Sequence, residues 1–444
     1  MKRILAPRVT VFLALSLVAA TAFALQETAK SAEPWSQSEL EALAKRIEGE
    51  VEALRGAKFV RPVTVRMASR ADFQEYVKHR MELTDPPERI AADETIAKLL
   101  GVIPPDMDLL ATTMQMLEEQ VGGYYDPLGD SFSMMEGVPK GLAGTVLSHE
   151  LCHALDDQLF ALDGPLVALA GRTDASLAYQ SVVEGSGTSL MNQWAIQHRK
   201  EVNLEGNEDF LNASMRSMAS VPMWVWKPLL SVYMSGAAFL ARTESMLLGQ
   251  ASAAPPADVE QAFEKPPRST EQVLHPEKYW DSEQADEPRE VTLSAGSLPK
   301  GWSVAREDTL GELMLAVLCT PPEERGSLDA SNPAAILGVS FTNELAEGWD
   351  GDRVRLLTSG AARYLVLVTQ WDSERDAAEF FGALQLLEPS FEAAARGLAG
   401  SSGEESGAEI AYGAAPDEVV LSIHSAVARR DLRKLEKAFA RKAR

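Results

Sequence analysis

Cysteine is nearly absent. Cys152 and Cys319 are the only two in 444 residues, so no dense disulfide framework holds this fold. The two are free to pair in an oxidising compartment, although Cys152 falls inside a helical pattern, where a small buried hydrophobe is the simpler role. Histidine is scarce at six, which makes any ordered pair of histidines informative. Positive charge is short as well: 42 Lys and Arg face 65 Asp and Glu, for a formal charge of −23. Phosphate binding needs clustered cations, so a general nucleic-acid partner is excluded. The one basic stretch, Arg429 to Arg444, reads as the solvated face of a last helix.

Long apolar runs are few. Val9–Ala22 is uncharged and mostly apolar, but shorter than the roughly 20 residues that a bilayer span requires. Lys2, Arg3 and Arg8 precede or open it, and Ala22-Phe23-Ala24 follows with small-x-small spacing. Residues 1–24 therefore read as a signal peptide cleaved after Ala24, and the mature chain is expected to be secreted or periplasmic. Residues 222–248 are also apolar, but Pro222, Lys227 and Pro228 interrupt them. A buried helix is expected there, and no stable membrane span once the leader is gone.

What remains is ordinary globular material, 45% hydrophobic and 24% charged, with length for two domains. Hydrophobic periodicity predicts helices from Ser36 or Ser38 to about Leu54, Ser69–Leu83, Asp106–Glu119, Lys140–Phe160 and Asp174–Gln197. An extended stretch is expected at Phe59–Met67, and a strand–turn–strand across Gly123–Tyr125, Asp126–Asp130 and Ser131–Met135. After residue 290 the pattern changes, with strands at Arg353–Thr358, Tyr364–Trp371 and Val419–Ile423, a helix at Ser373–Leu387, and a loop at Gly397–Gly407. The expected fold class is α+β: a mostly helical domain with a small sheet over residues 25–289, then a smaller α+β domain over 290–444.

The helix at Lys140–Phe160 carries Ser148-His149-Glu150-Leu151-Cys152-His153, the pattern His-Glu-x-x-His. Residues four apart on a helix share one face about 6 Å apart, so His149 and His153 can turn both imidazoles to one cation. Leu147, Leu151, Leu155 and Leu159 form another stripe on roughly the opposite side, giving the helix an apolar face to bury and a polar face to work with. Glu150 lies beside the histidine row without joining it. Zn²⁺ with three protein ligands keeps a position for water and lowers its pKa towards about 7. A carboxylate in the place of Glu150 can act as general base towards that water.

A third ligand is needed. Asp156 and Leu159 stand where a second histidine-rich continuation would need Gly and His, which closes that route. Glu184, 31 residues past His153 in Val182-Val183-Glu184-Gly185-Ser186-Gly187, is the best candidate. The small residues after it would let two backbones approach closely at the metal. Asp156 or Asp157 is placed to accept a hydrogen bond from a ligand histidine. The strand pair at Tyr124–Met135 offers an edge to which an extended peptide can add.

At these residues the chain resembles the gluzincin type of zincin, in which His-Glu-x-x-His is completed by a glutamate on the following helix. It is most similar to a group of exported bacterial and archaeal zincin-like proteins, through Gly123-Tyr124-Tyr125-Asp126-Pro127, Ser148 to Gln158, Val183-Glu184-Gly185, Tyr233 with Gly236, and Pro266 to Tyr279. Gly348 to Arg353 and Trp371 to Phe380 extend the likeness. The resemblance implies a zincin-like metallopeptidase domain and peptide-bond hydrolysis of protein or peptide substrates. It implies His149, His153 and Glu184 as zinc ligands and Glu150 as general base, with His275 or Tyr279 as candidates for stabilising the oxyanion. Two alternatives stand beside it: a non-catalytic zincin-fold binding or scaffold protein of the cell envelope, and a quality-control factor whose C-terminal domain selects partners. The intact Glu150 speaks against the first.

Overall fold

The computed structural model describes residues 35–84, 86–127, 129–202, 216–293, 297–325, 336 and 338–439. The proposed leader lies outside these residues. The chain is α+β, with many helices, a small mixed sheet and a larger antiparallel sheet.

The N-terminal helix α1 (Gln37–Arg55) starts at a capping box, in which the Ser36 side chain and Glu39 satisfy each other's backbone amides. It ends at Gly56 in the left-handed conformation. Strand β1 (Thr64–Ala68) follows, then α2 (Arg70–Thr84), α3 (Pro87–Leu99) and α4 (Leu109–Gln120). Strands β2 (Gly123–Asp126) and β3 (Ser131–Met135) form the expected hairpin, with Tyr124 opposite Ser133. Strand β1 runs parallel to β3, which leaves β2 at an edge of the three-stranded sheet.

Helix α5 (Lys140–Phe160) packs on α1, on α7 (Thr173–Gln197) and on β2 and β3, with the short α6 (Asp163–Leu169) between α5 and α7. It is therefore not amphipathic in the expected sense. Every residue from Leu142 to Asp157 is buried, the histidine face included, while Leu159 of the leucine stripe is exposed. The polar face works inside the protein, not at its surface.

Helix α8 (Met223–Leu240) carries the apolar run and crosses α7 closely. A side chain on Gly185 would collide with the Gly236 backbone, and one on Gly236 with the Ser181 carbonyl, so two glycines set the approach of these helices. Short helices α9 (Met246–Ala251), α10 (Pro256–Glu264), α11 (Thr270–Leu274) and α12 (Glu277–Trp280) wrap this layer. No helix among the described residues is long and apolar enough to cross a membrane.

Strand β4 (Ser303–Asp308), helix α13 (Gly311–Cys319), strands β5 (Trp349–Ser359) and β6 (Ala362–Trp371), helix α14 (Glu374–Ala399), strands β7 (Glu405–Tyr412) and β8 (Glu418–Val427) and helix α15 (Arg429–Phe439) complete the chain. The sheet order is β4-β5-β6-β8-β7, antiparallel throughout. Part of the expected 397–407 loop is the end of α14 and the start of β7.

A division at residue 290 is not followed by the packing. Ala92, Ile96, Leu99 and Leu100, in and after α3, share a core with Phe380, Leu384 and Phe391 of α14 and with Leu365 and Leu367 of β6. Helix α13 packs in turn on α7, α8 and α11. Cys152 and Cys319 are both free and buried, so they do not pair.

Candidate metal centre

Helix α5 presents His149 and His153, and α7 presents Glu184, within the Ser181–Gly185 stretch that meets α8. The Nε2 atoms of the two imidazoles are 2.9 Å apart, and the Oε2 of Glu184 lies 3.2 Å from each. All three side chains are buried. Ligand atoms about 2.0–2.1 Å from one tetrahedral ion are separated by about 3.3 Å, so this triangle suits a single cation. Two imidazole nitrogens and one carboxylate oxygen are the donor set of many such sites.

Gly187, one turn beyond Glu184, is part of the cradle. A side chain on it would meet Cε1 of His149 at 2.8 Å and Cε1 of His153 at 2.9 Å. The expectation that small residues here allow close approach is met, but by division of labour: Gly185 receives α8, and Gly187 receives the imidazoles.

Charge in the triangle is asymmetric. Burial pushes the Glu184 carboxyl up, but His153 and His149 outweigh it and hold the group down to about 2. Burial lowers the His149 pKa, and the neighbouring His153 lowers it further. For His153, burial also lowers the pKa, yet Glu184 overcomes it and the net shift is upward. Glu150 differs from Glu184. Burial pushes its carboxyl up to about 8, opposed by His153 and by the Tyr125 amide and reinforced by Glu184. Both its oxygens are buried without a hydrogen-bond partner of normal geometry among the described residues. A fully buried carboxyl with so little hydrogen bonding is costly in a folded chain, and such groups concentrate where chemistry is done.

The neighbouring aspartates do not orient the histidines. Asp156 accepts from Arg55 Nε at 2.8 Å and from the Ser186 hydroxyl at 2.5 Å. It thus ties α1, α5 and α7 together through a fully buried ion pair. Asp157 accepts from the Tyr125 hydroxyl at 3.1 Å and from the Leu162 amide at 3.0 Å, which fixes β2 to the end of α5. Its expected place beside a ligand imidazole is therefore corrected.

His275 and Tyr279 are also committed elsewhere. The His275 imidazole pairs with buried Glu312 at 2.9 Å, joining the end of α11 to α13. The Tyr279 hydroxyl donates to the Lys265 carbonyl at 2.5 Å. The aromatic that does reach the triangle is Tyr233 of α8, stacked on His149 with ring centroids 5.9 Å apart. In the sequence it stands out through the resemblance alone, together with Gly236 three residues on along the same helix.

A protein family described as "Domain of unknown function (DUF8575)" matches residues 301–432. That stretch runs from just before β4 into α15 and contains none of the residues of the triangle. No curated protein and no solved structure matches the chain.

Proposed function

We propose that this chain is an exported, zinc-dependent peptide hydrolase with a zincin-like, gluzincin-type active centre. The observation that carries the reading is the convergence of His149, His153 and Glu184, whose ligand atoms lie within 3.2 Å of one another, beside the fully buried carboxyl of Glu150. A structural cluster has no use for that carboxylate, whereas hydrolysis does.

His149, His153 and Glu184 would hold the ion, which when bound supplies Lewis acidity and makes a neighbouring water more acidic. Glu150 takes a proton from the attacking water as its oxygen bonds to the scissile carbonyl carbon. As the carbon–nitrogen bond breaks, Glu150 returns the proton to the departing amine. The expected open edge of β2 is not found: Gly123, Tyr124 and Tyr125 are buried, and the Tyr125 carbonyl accepts from the Tyr76 hydroxyl. Export rests on the charged start and apolar run of residues 2–24.

The test is metal analysis by mass spectrometry of the purified mature chain alongside casein hydrolysis. One zinc per wild-type chain is expected, with loss in folded His149→Ala and Glu184→Ala. Glu150→Gln should keep its zinc and lose at least 100-fold in rate. Activity surviving in Glu150→Gln would refute the mechanism. Zinc bound without any hydrolysis would leave the binding or scaffold protein as the answer.

A further inference from the structure

A second group of metal-ligand side chains lies beyond the C-terminal end of α8. Glu244, in the turn between α8 and α9, meets His275 and Glu277, where α11 passes into α12. One ring nitrogen of the imidazole and one oxygen from each carboxylate lie within 4.8 Å of one another. The Nδ1 of His275 is 4.0 Å from Oε1 of Glu277. An ion held at about 2.2 Å by each atom would draw them to between about 3 and 4.4 Å. Exposed Glu244 can make that closure by turning about its side-chain bonds. Glu244 and Glu277 line an open cleft of about 610 Å³, to which Thr243, Ser245 and Asp281 add polar groups.

Two features set this group apart from ordinary surface acids. The first is the support behind the imidazole. Fully buried Glu312 takes the Nε2 side of His275 at 2.9 Å and leaves Nδ1 towards the two carboxylates. Histidines that ligate metals are oriented in this way, by a carboxylate on the other ring nitrogen. The second is the lack of an internal cation. Glu271, Asp286 and Asp372 also converge, but the Lys278 ammonium fills that group, at 2.6, 3.0 and 3.0 Å. No such ammonium reaches Glu244 or Glu277 among the described residues. Arg242, the one Lys or Arg among the described residues lining the cleft, pairs instead with Asp258 at 2.6 Å and covers the Trp280 ring.

We infer that Glu244, His275 and Glu277 form a second metal site, separate from the triangle, that takes a divalent first-row transition cation such as Mn²⁺. Ca²⁺ and Mg²⁺ favour all-oxygen ligand sets, whereas an imidazole beside carboxylates suits a transition cation. The ligands are exposed or half-buried, so water competes and the site fills only well above the ion concentration that occupies the triangle. The ion pins the end of α8, the helix that carries Tyr233, to α11 and α12, and through Glu312 to α13.

The experiment titrates Mn²⁺ into the mature chain already given one equivalent of zinc, and reads free Mn²⁺ by electron paramagnetic resonance. One Mn²⁺ per chain should bind, and a tenfold excess of Ca²⁺ should leave it in place. Glu312→Gln should weaken binding by about 10–100-fold. Glu244→Gln and Glu277→Gln, at positions where folding tolerates the change, should each weaken it at least as much. Asp286→Asn, in the group that Lys278 fills, should leave it unchanged. So should Glu184→Ala, which removes a ligand of the triangle and reads the second site whether or not the zinc reading holds. No binding at millimolar Mn²⁺, binding untouched by Glu244→Gln and Glu277→Gln, or displacement by Ca²⁺ overturns the site. Binding that vanishes with Glu184→Ala assigns the ion to the triangle and overturns it equally.

Discussion

Gly187 lies directly against His149: a methyl group on its Cα would stand 2.8 Å from Cε1 of the imidazole and 2.9 Å from Nδ1. Real side chains do not tolerate such contacts. In an exposed helix Gly→Ala stabilises by about 1 kcal/mol, but here the methyl must displace two ligands at once. Gly187→Ala is expected to weaken zinc affinity at least tenfold while the helix content is unchanged, read by competition with a chromophoric chelator and by circular dichroism. Unchanged affinity would show that the imidazoles do not depend on this cradle.

Removing the metal should expose how much of the fold leans on it. A ligand that binds only the native state at a hundred times its Kd contributes about 2.7 kcal/mol. Dialysis against a chelator is expected to lower the Tm by several degrees, reversed by added zinc, in scanning calorimetry. Glu184→Ala should melt at the same temperature under both conditions.

The Arg55–Asp156 pair is almost fully buried, with side-chain exposures of 3% and 0%. Breaking such a pair from one side leaves an uncompensated charge, at a cost of about 3–5 kcal/mol. Arg55→Met should therefore lower urea stability by roughly that amount. It should also hasten zinc release, because Asp156 holds Ser186 between Gly185 and Gly187. A loss under 1 kcal/mol would mean that the pair contributes little net stability.

Stability should also respond to pH through Asp174, at the start of α7. Burial raises its carboxyl from 3.8 to about 7, against two hydrogen bonds from Thr270 and with help from Asp352 and Asp308. Between those values the folded chain holds a proton that the unfolded chain releases. The contribution is complete below about pH 4 and is lost as pH rises through about 7. Asp174→Asn keeps the acceptor for Thr270 and should flatten the fall in urea stability between pH 5 and pH 8. An unaltered slope would assign the proton elsewhere.

Much of the site is legible before folding is considered, because its logic is local. His149 and His153 share a helix face by spacing alone, and Glu184 follows as the next glutamate after Glu150. What cannot be read is which groups the tertiary contacts consume. Asp156, Asp157, His275 and Tyr279 are all chemically suited to help a metal site, yet Arg55, Tyr125, Glu312 and Lys265 take them. Those partners lie up to 101 residues away in sequence, beyond any periodicity. Helix α3 escapes notice for the same reason: its buried set of Ala92, Ile96, Ala97 and Leu99 is interrupted by charge and gains meaning only against distant elements such as α14 and β4. Helix α14 runs on to Ala399 through Pro389, past Leu387 where the pattern suggests an end, because Phe391 and Ala395 are buried beyond the proline.

The shared core of α3 and α14 has a consequence for how the chain is made. The Gly101 carbonyl, just past α3, accepts from Arg325, 224 residues later. At about 5–20 residues per second a growing chain reaches that partner on the order of 10–45 seconds after Gly101 is synthesised. Throughout that interval Ile96, Leu99 and Leu100 have no native cover. The two ends of the chain therefore complete one core between them, and α3 stays uncovered until β6 and α14 have been made.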